Sequence, residues 1–226
     1  MIYNNIFAAE FLSRPNRFIA HIEIDGKEEI AHVKNTGRCK ELLTENATVF
    51  VQKCDNPSRK TQYDLIGVLK GDKMINMDSQ IPNKVFGEWA KNSGFFGSLT
   101  FMKAEKTYGN SRFDYYLETE KDKIFVEVKG VTLEKDGVVL FPDAPTERGI
   151  KHINELCQCL KDGYKAYIFF IIQMDGVKYF TPNRDTHPAF ADALKNAAES
   201  GVGVYALSCK VTENSIEADK FVEVRL

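Results

Sequence analysis

Residues 112–149 read RFDYYLETEKDKIFVEVKGVTLEKDGVVLFPDAPTERG. The segment Ile124–Val131 alternates in steps of two, placing Ile124, Val126 and Val128 on one side of a strand and Phe125, Glu127 and Lys129 on the other. A carboxylate and an ammonium therefore share one face, among β-branched residues that favour a half-buried sheet. Upstream, Phe113, Tyr115 and Leu117 alternate against Asp114, Tyr116 and Glu118, and Glu120-Lys121-Asp122-Lys123 is polar enough to turn a hairpin. Pairing these strands brings Asp114 near Glu127 and Lys129. That set could hold a hard divalent cation and activate a water beside it. An Asp followed by Glu-x-Lys is weak by spacing alone. Charged residues inside an apolar strand strengthen it, because unpaired charge is costly there. Gly130, next in line, leaves room for a close backbone approach.

The chain has 226 residues, 43% hydrophobic and 27% charged, so it can bury a sizeable core as one large or two small domains. Its formal net charge of −2 supplies no whole-protein basic field, and any nucleic-acid binding must come from a local patch. Five cysteines show neither a disulfide framework nor paired zinc spacing, which points to a reducing cytoplasm. The start lacks a cationic segment followed by an apolar run, so no signal peptide is expected. The longest apolar run, 166–172, is too short to span a bilayer, and no membrane partner is expected.

Up to about Asp78 the pattern is short strands, at 6–12, 18–24, 29–33, 48–52, 64–70 and 74–77, with Asp25-Gly26 as a hairpin turn. So many short strands predict a small closed barrel. Its loops carry cations: Arg14, Arg17, Lys34, Arg38 and Lys40, with Arg59 and Lys60 further on. Singly these are solubilising side chains; together they form a candidate phosphate-facing rim.

Residues 79–82 read as a linker and helix start with an early proline. A helix to Asn92 holds the only tryptophan, Trp89, expected to wedge between the two parts, with Gly94 as its cap. Strands at 100–105, 112–118, 124–133 and 138–141 follow, then a helix over 147–161, a strand at 164–173 buried on both faces, a helix over 188–200, a strand at 202–209 and an edge hairpin to the end. The expected fold is mixed α/β: a barrel domain, 1–80, and an α/β domain, 81–226.

Four runs together carry a likeness to a known family: Lys34-Asn35-Thr36-Gly37-Arg38, Tyr108-Gly109-x-Ser111-Arg112-x-Asp114, Glu127-Val128-Lys129-Gly130-Val131-Thr132-Leu133, and Phe141-Pro142-Asp143-Ala144-Pro145-Thr146-Glu147-Arg148-Gly149. Across essentially the whole chain they resemble the sugar fermentation stimulation protein family, SfsA. The resemblance implies an OB-fold-like amino-terminal barrel and a restriction-endonuclease-like α/β domain of the PD-(D/E)xK type. It also implies DNA binding without strong sequence preference. Two departures stand out: Lys34 replaces the family's usual proline, and Phe113-Asp114 stands for the Pro-Asp of the nuclease signature.

Carried over residue by residue, the resemblance makes Asp114 and Glu127 metal-binding carboxylates and Lys129 the catalytic lysine. The Val128 carbonyl would complete a site for Mg²⁺ or Mn²⁺, and Glu105 is a further candidate ligand. Gln173 is a candidate polar active-site residue. Arg148, Lys151 and His152 open a helix whose N–H groups favour phosphate, and Thr146 suits its N-cap. With Asn35, Thr36 and Gly37 these join the rim cations as candidate nucleic-acid contacts. The expected function is nucleic-acid binding, with DNA as partner, plus a divalent-metal nuclease centre. The competing readings are a non-catalytic DNA-binding regulator of sugar metabolism genes and a barrel that binds protein.

Overall fold

The structure, a computed structural model, describes residues 1–35, 37–56 and 58–226. Thr36, one of the candidate rim residues, lies outside them. The first six strands are β1 (Ile6–Asn16), β2 (Ile19–Ile24), β3 (Lys27–Val33), β4 (Thr48–Lys53), β5 (Tyr63–Lys70) and β6 (Lys73–Asn76). They pair in the order β3-β2-β1-β4-β5-β6, and a parallel β3–β5 pairing closes the first five into a barrel. Closure removes the exposed edges that an open sheet of such short strands would leave. Asp25 and Gly26 both take positive φ (51° and 74°), the conformation a two-residue hairpin loop demands, which sets the β2–β3 register.

Helix α1 (Ile81–Asn92) leads into β7 (Leu99–Tyr108), β8 (Ser111–Thr119), β9 (Lys123–Val131), β10 (Glu134–Lys135) and β11 (Val138–Phe141). Next come α2 (Glu147–Lys161), β12 (Lys165–Ile172), β13 (Tyr179–Pro182), α3 (Pro188–Glu199), β14 (Gly203–Val211) and β15 (Ile216–Val224). These strands form one sheet in the order β10-β11-β13-β15-β14-β12-β9-β8-β7. At its centre β12 lies parallel to both β9 and β14, and its run of apolar residues is buried on both faces. One face packs Ile124, Val126, Val128 and Phe169 against Phe86 of α1; the other packs Phe125, Ile168 and Phe170 in the cluster that includes Ile153 and Leu156 of α2 and Phe190 of α3. No helix among the described residues is long and apolar enough to cross a membrane.

Three sequence expectations change. The short β13 is an addition, its four residues ending in a proline that masks a strand pattern. The terminal strand β15 pairs only with β14 along most of its length, as an edge should, but Glu223 and Val224 also pair with Tyr179 and Phe180, so its end is internal. Trp89 does not wedge between domains: its ring packs on Phe86, Phe95, Phe96, Phe169 and Phe221, all within the second domain.

The domains share an apolar cluster that takes in Tyr3, Phe50 and Ile66 of the barrel with Ile81, Val85 and Phe86 of α1, and polar contacts add to it. The buried Gln173 side chain, at the end of β12, donates from Nε2 to the Asn76 carbonyl (3.1 Å), Asn76 Oδ1 (2.9 Å) and the Asp78 carbonyl (3.1 Å). Lys70 of the barrel reaches Glu134 at 2.7 Å. Gln173 thus acts as a clasp between the domains.

Candidate metal centre and basic rim

Strands β8 and β9 pair from Glu118–Lys123 to Tyr115–Val126, and there the ladder ends. One step further the Asp114 carboxylate takes over. Its Oδ2 accepts from the Val128 N–H at 2.7 Å, and its Oδ1 accepts from the Asn83 side-chain amide at 2.7 Å. N–H and C=O of one strand residue point to the same side, so the Val128 carbonyl faces this gap as well. Asn83, near the start of α1, had no sequence signal, because its role arises only when the helix docks across β8.

Glu127 lies on the α2 face of β9 and is 2% exposed. Its Oε1 accepts from Lys129 Nζ at 2.5 Å and from His152 Nδ1 at 2.5 Å, while Oε2 is buried with no partner. His152 Nδ1 faces Glu127 Oε1, and its Nε2 faces the Arg148 Nε–H at 3.4 Å. Burial alone would push the Glu127 carboxyl up, but the His152 hydrogen bond and the Lys129 ammonium outweigh it and hold the group below its ordinary range. Asp114 goes the other way. Burial, and then the negative charge of Glu127, raise it, and the Val128 and Asn83 donors offset this only in part.

Two neighbouring carboxylates that repel, one with a buried oxygen lacking any donor, fit a divalent cation. An orphaned carboxylate oxygen costs free energy that a cation would recover. Glu105 does not join them. It sits exposed on the edge strand β7 with its carboxylate 3.4 Å from Arg112, and no group of three acidic, histidine or cysteine side chains gathers among the described residues. Gly130 is needed for packing rather than for phosphate: a Cβ there would lie 2.5 Å from Pro82 of α1 and 2.6 Å from Gln173 Oε1.

The helix expected to bind phosphate starts as read, with Thr146 Oγ1 accepting from the Gly149 N–H at 3.0 Å. Arg148 is exposed, and the exposed Lys151 donates to the Asn110 carbonyl at 2.8 Å. His152, however, is 5% exposed and committed to Glu127, so it orders the centre and does not meet a nucleic-acid backbone.

The rim divides in the same way. Arg14 donates to the carbonyls of Gly37, Arg38, Arg17 and Asn35 at 2.7–2.9 Å, so its guanidinium is spent on shaping the loops. Lys34 lies between Asp64 (3.3 Å) and Asp78 (3.2 Å), both buried, and is withdrawn from the rim. Arg17, Arg38 and Lys40 are exposed and line one depression with Asn16, Gly37 and Leu43. Asn35 Oδ1 accepts from the Gly37 N–H at 2.9 Å, a turn that periodicity could not reveal.

The matching families agree with this architecture. The model of the SfsA N-terminal OB domain matches residues 12–77, and that of the sugar fermentation stimulation protein RE domain matches residues 80–215. Curated relatives described as sugar fermentation stimulation protein homologs include one from Desulfitobacterium hafniense (strain Y51), 63% identical over 100% of this chain and 99% of that protein. Another, from Ruminiclostridium cellulolyticum, is 60% identical over the full length of both. A solved structure described as Pyrococcus furiosus SfsA in complex with Ca²⁺ superposes with a TM-score of 0.90 at 30% identity, covering 100% of this chain and 98% of that one. With both domain models matched in order and relatives aligned end to end, the chain belongs to the sugar fermentation stimulation protein (SfsA) family.

Proposed function

We propose that this chain binds nucleic acid, DNA foremost, and carries a divalent-metal-dependent phosphodiesterase centre of the PD-(D/E)xK type built on Asp114, Glu127 and Lys129. The observation that carries the reading is the orphaned, buried Glu127 Oε2 beside an Asp114 whose carboxyl is raised by burial and by the Glu127 charge. Asp114, Glu127 and the Val128 carbonyl would hold Mg²⁺ or Mn²⁺, hard cations that prefer oxygen. The Ca²⁺ in the Pyrococcus furiosus relative is a cation of the same preference. When bound, the cation offsets phosphate charge and makes water a better nucleophile. Lys129, at the mouth of the same site, orients a water for in-line attack and neutralises charge that develops on the phosphoryl oxygens. His152 fixes the Glu127 carboxylate from behind, as outer partners of metal ligands do. The exposed Arg17, Arg38, Lys40, Arg148 and Lys151 would hold the backbone by charge, independent of base sequence.

The test is cleavage of labelled single- and double-stranded DNA and RNA with Mg²⁺, Mn²⁺ or chelator. Wild type should cleave only with metal, and Asp114→Asn and Lys129→Ala should each remove cleavage while affinity stays within a few fold. One observation favours a second reading, a non-catalytic DNA-binding regulator: the Lys129 ammonium rests on Glu127 Oε1. Metal-independent binding with no cleavage of any substrate would establish that reading over the first.

A further inference from the structure

Asn35 and Gly37 of the barrel and Asp143 of the second domain come from separate signature motifs, yet they meet. A Cβ on Gly37 would touch Asp143 Oδ2 and lie 2.9 Å from Asn35 Oδ1. Between them is a cleft of about 110 Å³, its apolar wall formed by Leu133, Leu140 and Phe141. Gly130 lines it too, so the cleft opens one residue beyond Lys129. Building on the phosphodiesterase reading above, we propose that this cleft receives one unpaired nucleobase of the strand held at the metal centre.

Size and polarity select the ligand. Pockets for whole small molecules hold roughly 300–1,000 Å³, so this cleft suits a single flat ring system. No cation lines it among the described residues, and Asp143 would repel phosphate, which argues against the backbone itself. Most polar groups here are committed: the Ser79 hydroxyl donates to the Lys34 carbonyl, and the Gln173 amide nitrogen is spent on the barrel. The Asn35 amide nitrogen and the Asp143 carboxylate have no partner among the described residues, and with the Thr132 hydroxyl and Gln173 Oε1 they leave open donors and acceptors beside the apolar wall of a mostly polar slot. That is how a base removed from its stack is read, along its pairing edge and over its face. The carboxylate matches guanine best, whose pairing edge offers two adjacent N–H donors, while the Asn35 amide can donate to the guanine oxygen. Preorganisation supports the assignment. Arg14 fixes both the Asn35 and Gly37 carbonyls, and the Asn35 side chain closes on the Gly37 N–H, so both residues are held by the protein's own donors.

The test measures binding by anisotropy in chelator, where cleavage is absent. The probes are short labelled single strands of thymidine carrying centrally guanine, hypoxanthine or nothing at all (an abasic site), and a fully abasic chain. Wild type should bind the guanine strand about tenfold more tightly than the fully abasic chain and several-fold more tightly than the hypoxanthine strand, which lacks one donor. Asp143→Asn, nearly isosteric, should erase the guanine-over-hypoxanthine ratio and leave affinity for the abasic chain within a few fold. Asp143→Ala serves as a second variant, with the melting temperature of each confirming the fold. Equal wild-type affinity for all strands, or an unchanged ratio in both variants, overturns the base cleft while the phosphodiesterase reading stands. Failure to bind any strand overturns both.

Discussion

Asp114 and Glu127 are neighbours with opposite protonation behaviour, and that difference is measurable without any cleavage. Asp114 is raised, so its charged form costs stability at neutral pH, and the cost is relieved as pH falls through its raised value. Glu127 is lowered, so its contribution is present above the ordinary glutamate range and is lost as pH falls through its depressed value. At the proposed site a divalent cation would compete with the proton on Asp114. Addition of Mg²⁺ or Mn²⁺ should therefore raise the melting temperature at pH 7, the gain should shrink as pH falls through the raised Asp114 value, and Asp114→Asn should abolish it. A gain that is independent of pH would place the cation elsewhere. This pair was legible from strand alternation, which put Glu127 and Lys129 on one face. The His152 and Asn83 hydrogen bonds were not, because each arrives on a helix whose docking has no signature in the strand sequence.

At the scale of elements, the loop over 34–40 separates cations that hold structure from cations left exposed. The sequence shows five basic side chains near one another, but whether a guanidinium meets solvent or four carbonyls depends on loop geometry, and Arg14 meets the carbonyls. Replacing Arg38 and Lys40 together with alanine should weaken binding about equally on unrelated sequences. The slope of log affinity against log salt should fall by roughly 0.7–0.9 for each phosphate that the variant no longer neutralises. Arg14→Ala should act differently, lowering the melting temperature because it leaves four loop carbonyls without their donor. A salt titration on two unrelated duplexes and one single strand checks this, and an unchanged slope in the double variant would reduce Arg38 and Lys40 to solubilising residues.

For the whole molecule, the elements were readable and their assembly only partly so. Hairpin turns, capped helices and the apolar run of β12 mark their own boundaries, with α2 running over Glu147–Lys161 as its 3.6-residue spacing predicts. The domain junction was not readable, since its polar part is a glutamine whose three hydrogen bonds all cross to the barrel and its apolar part forms only when α1 docks. Gln173→Leu should strand the Asn76 and Asp78 carbonyls in a buried site and cost about 1–3 kcal/mol. Denaturation followed by calorimetry should show one transition in wild type and a barrel transition separating at lower temperature in the variant. A single unshifted transition in Gln173→Leu would mean that the apolar packing between domains suffices.

The same clasp has a mechanical consequence. Two domains held together through Gln173, Lys70 and Glu134 would not close like jaws, so on the proposed function the compliance needed for a strand to reach the metal centre would come from the strand. A duplex resists bending over tens of base pairs, whereas nicks, gaps and single strands bend at little cost. On the proposed function, stiffness then becomes, alongside any base that the cleft reads, a property by which the protein would sort nucleic acids.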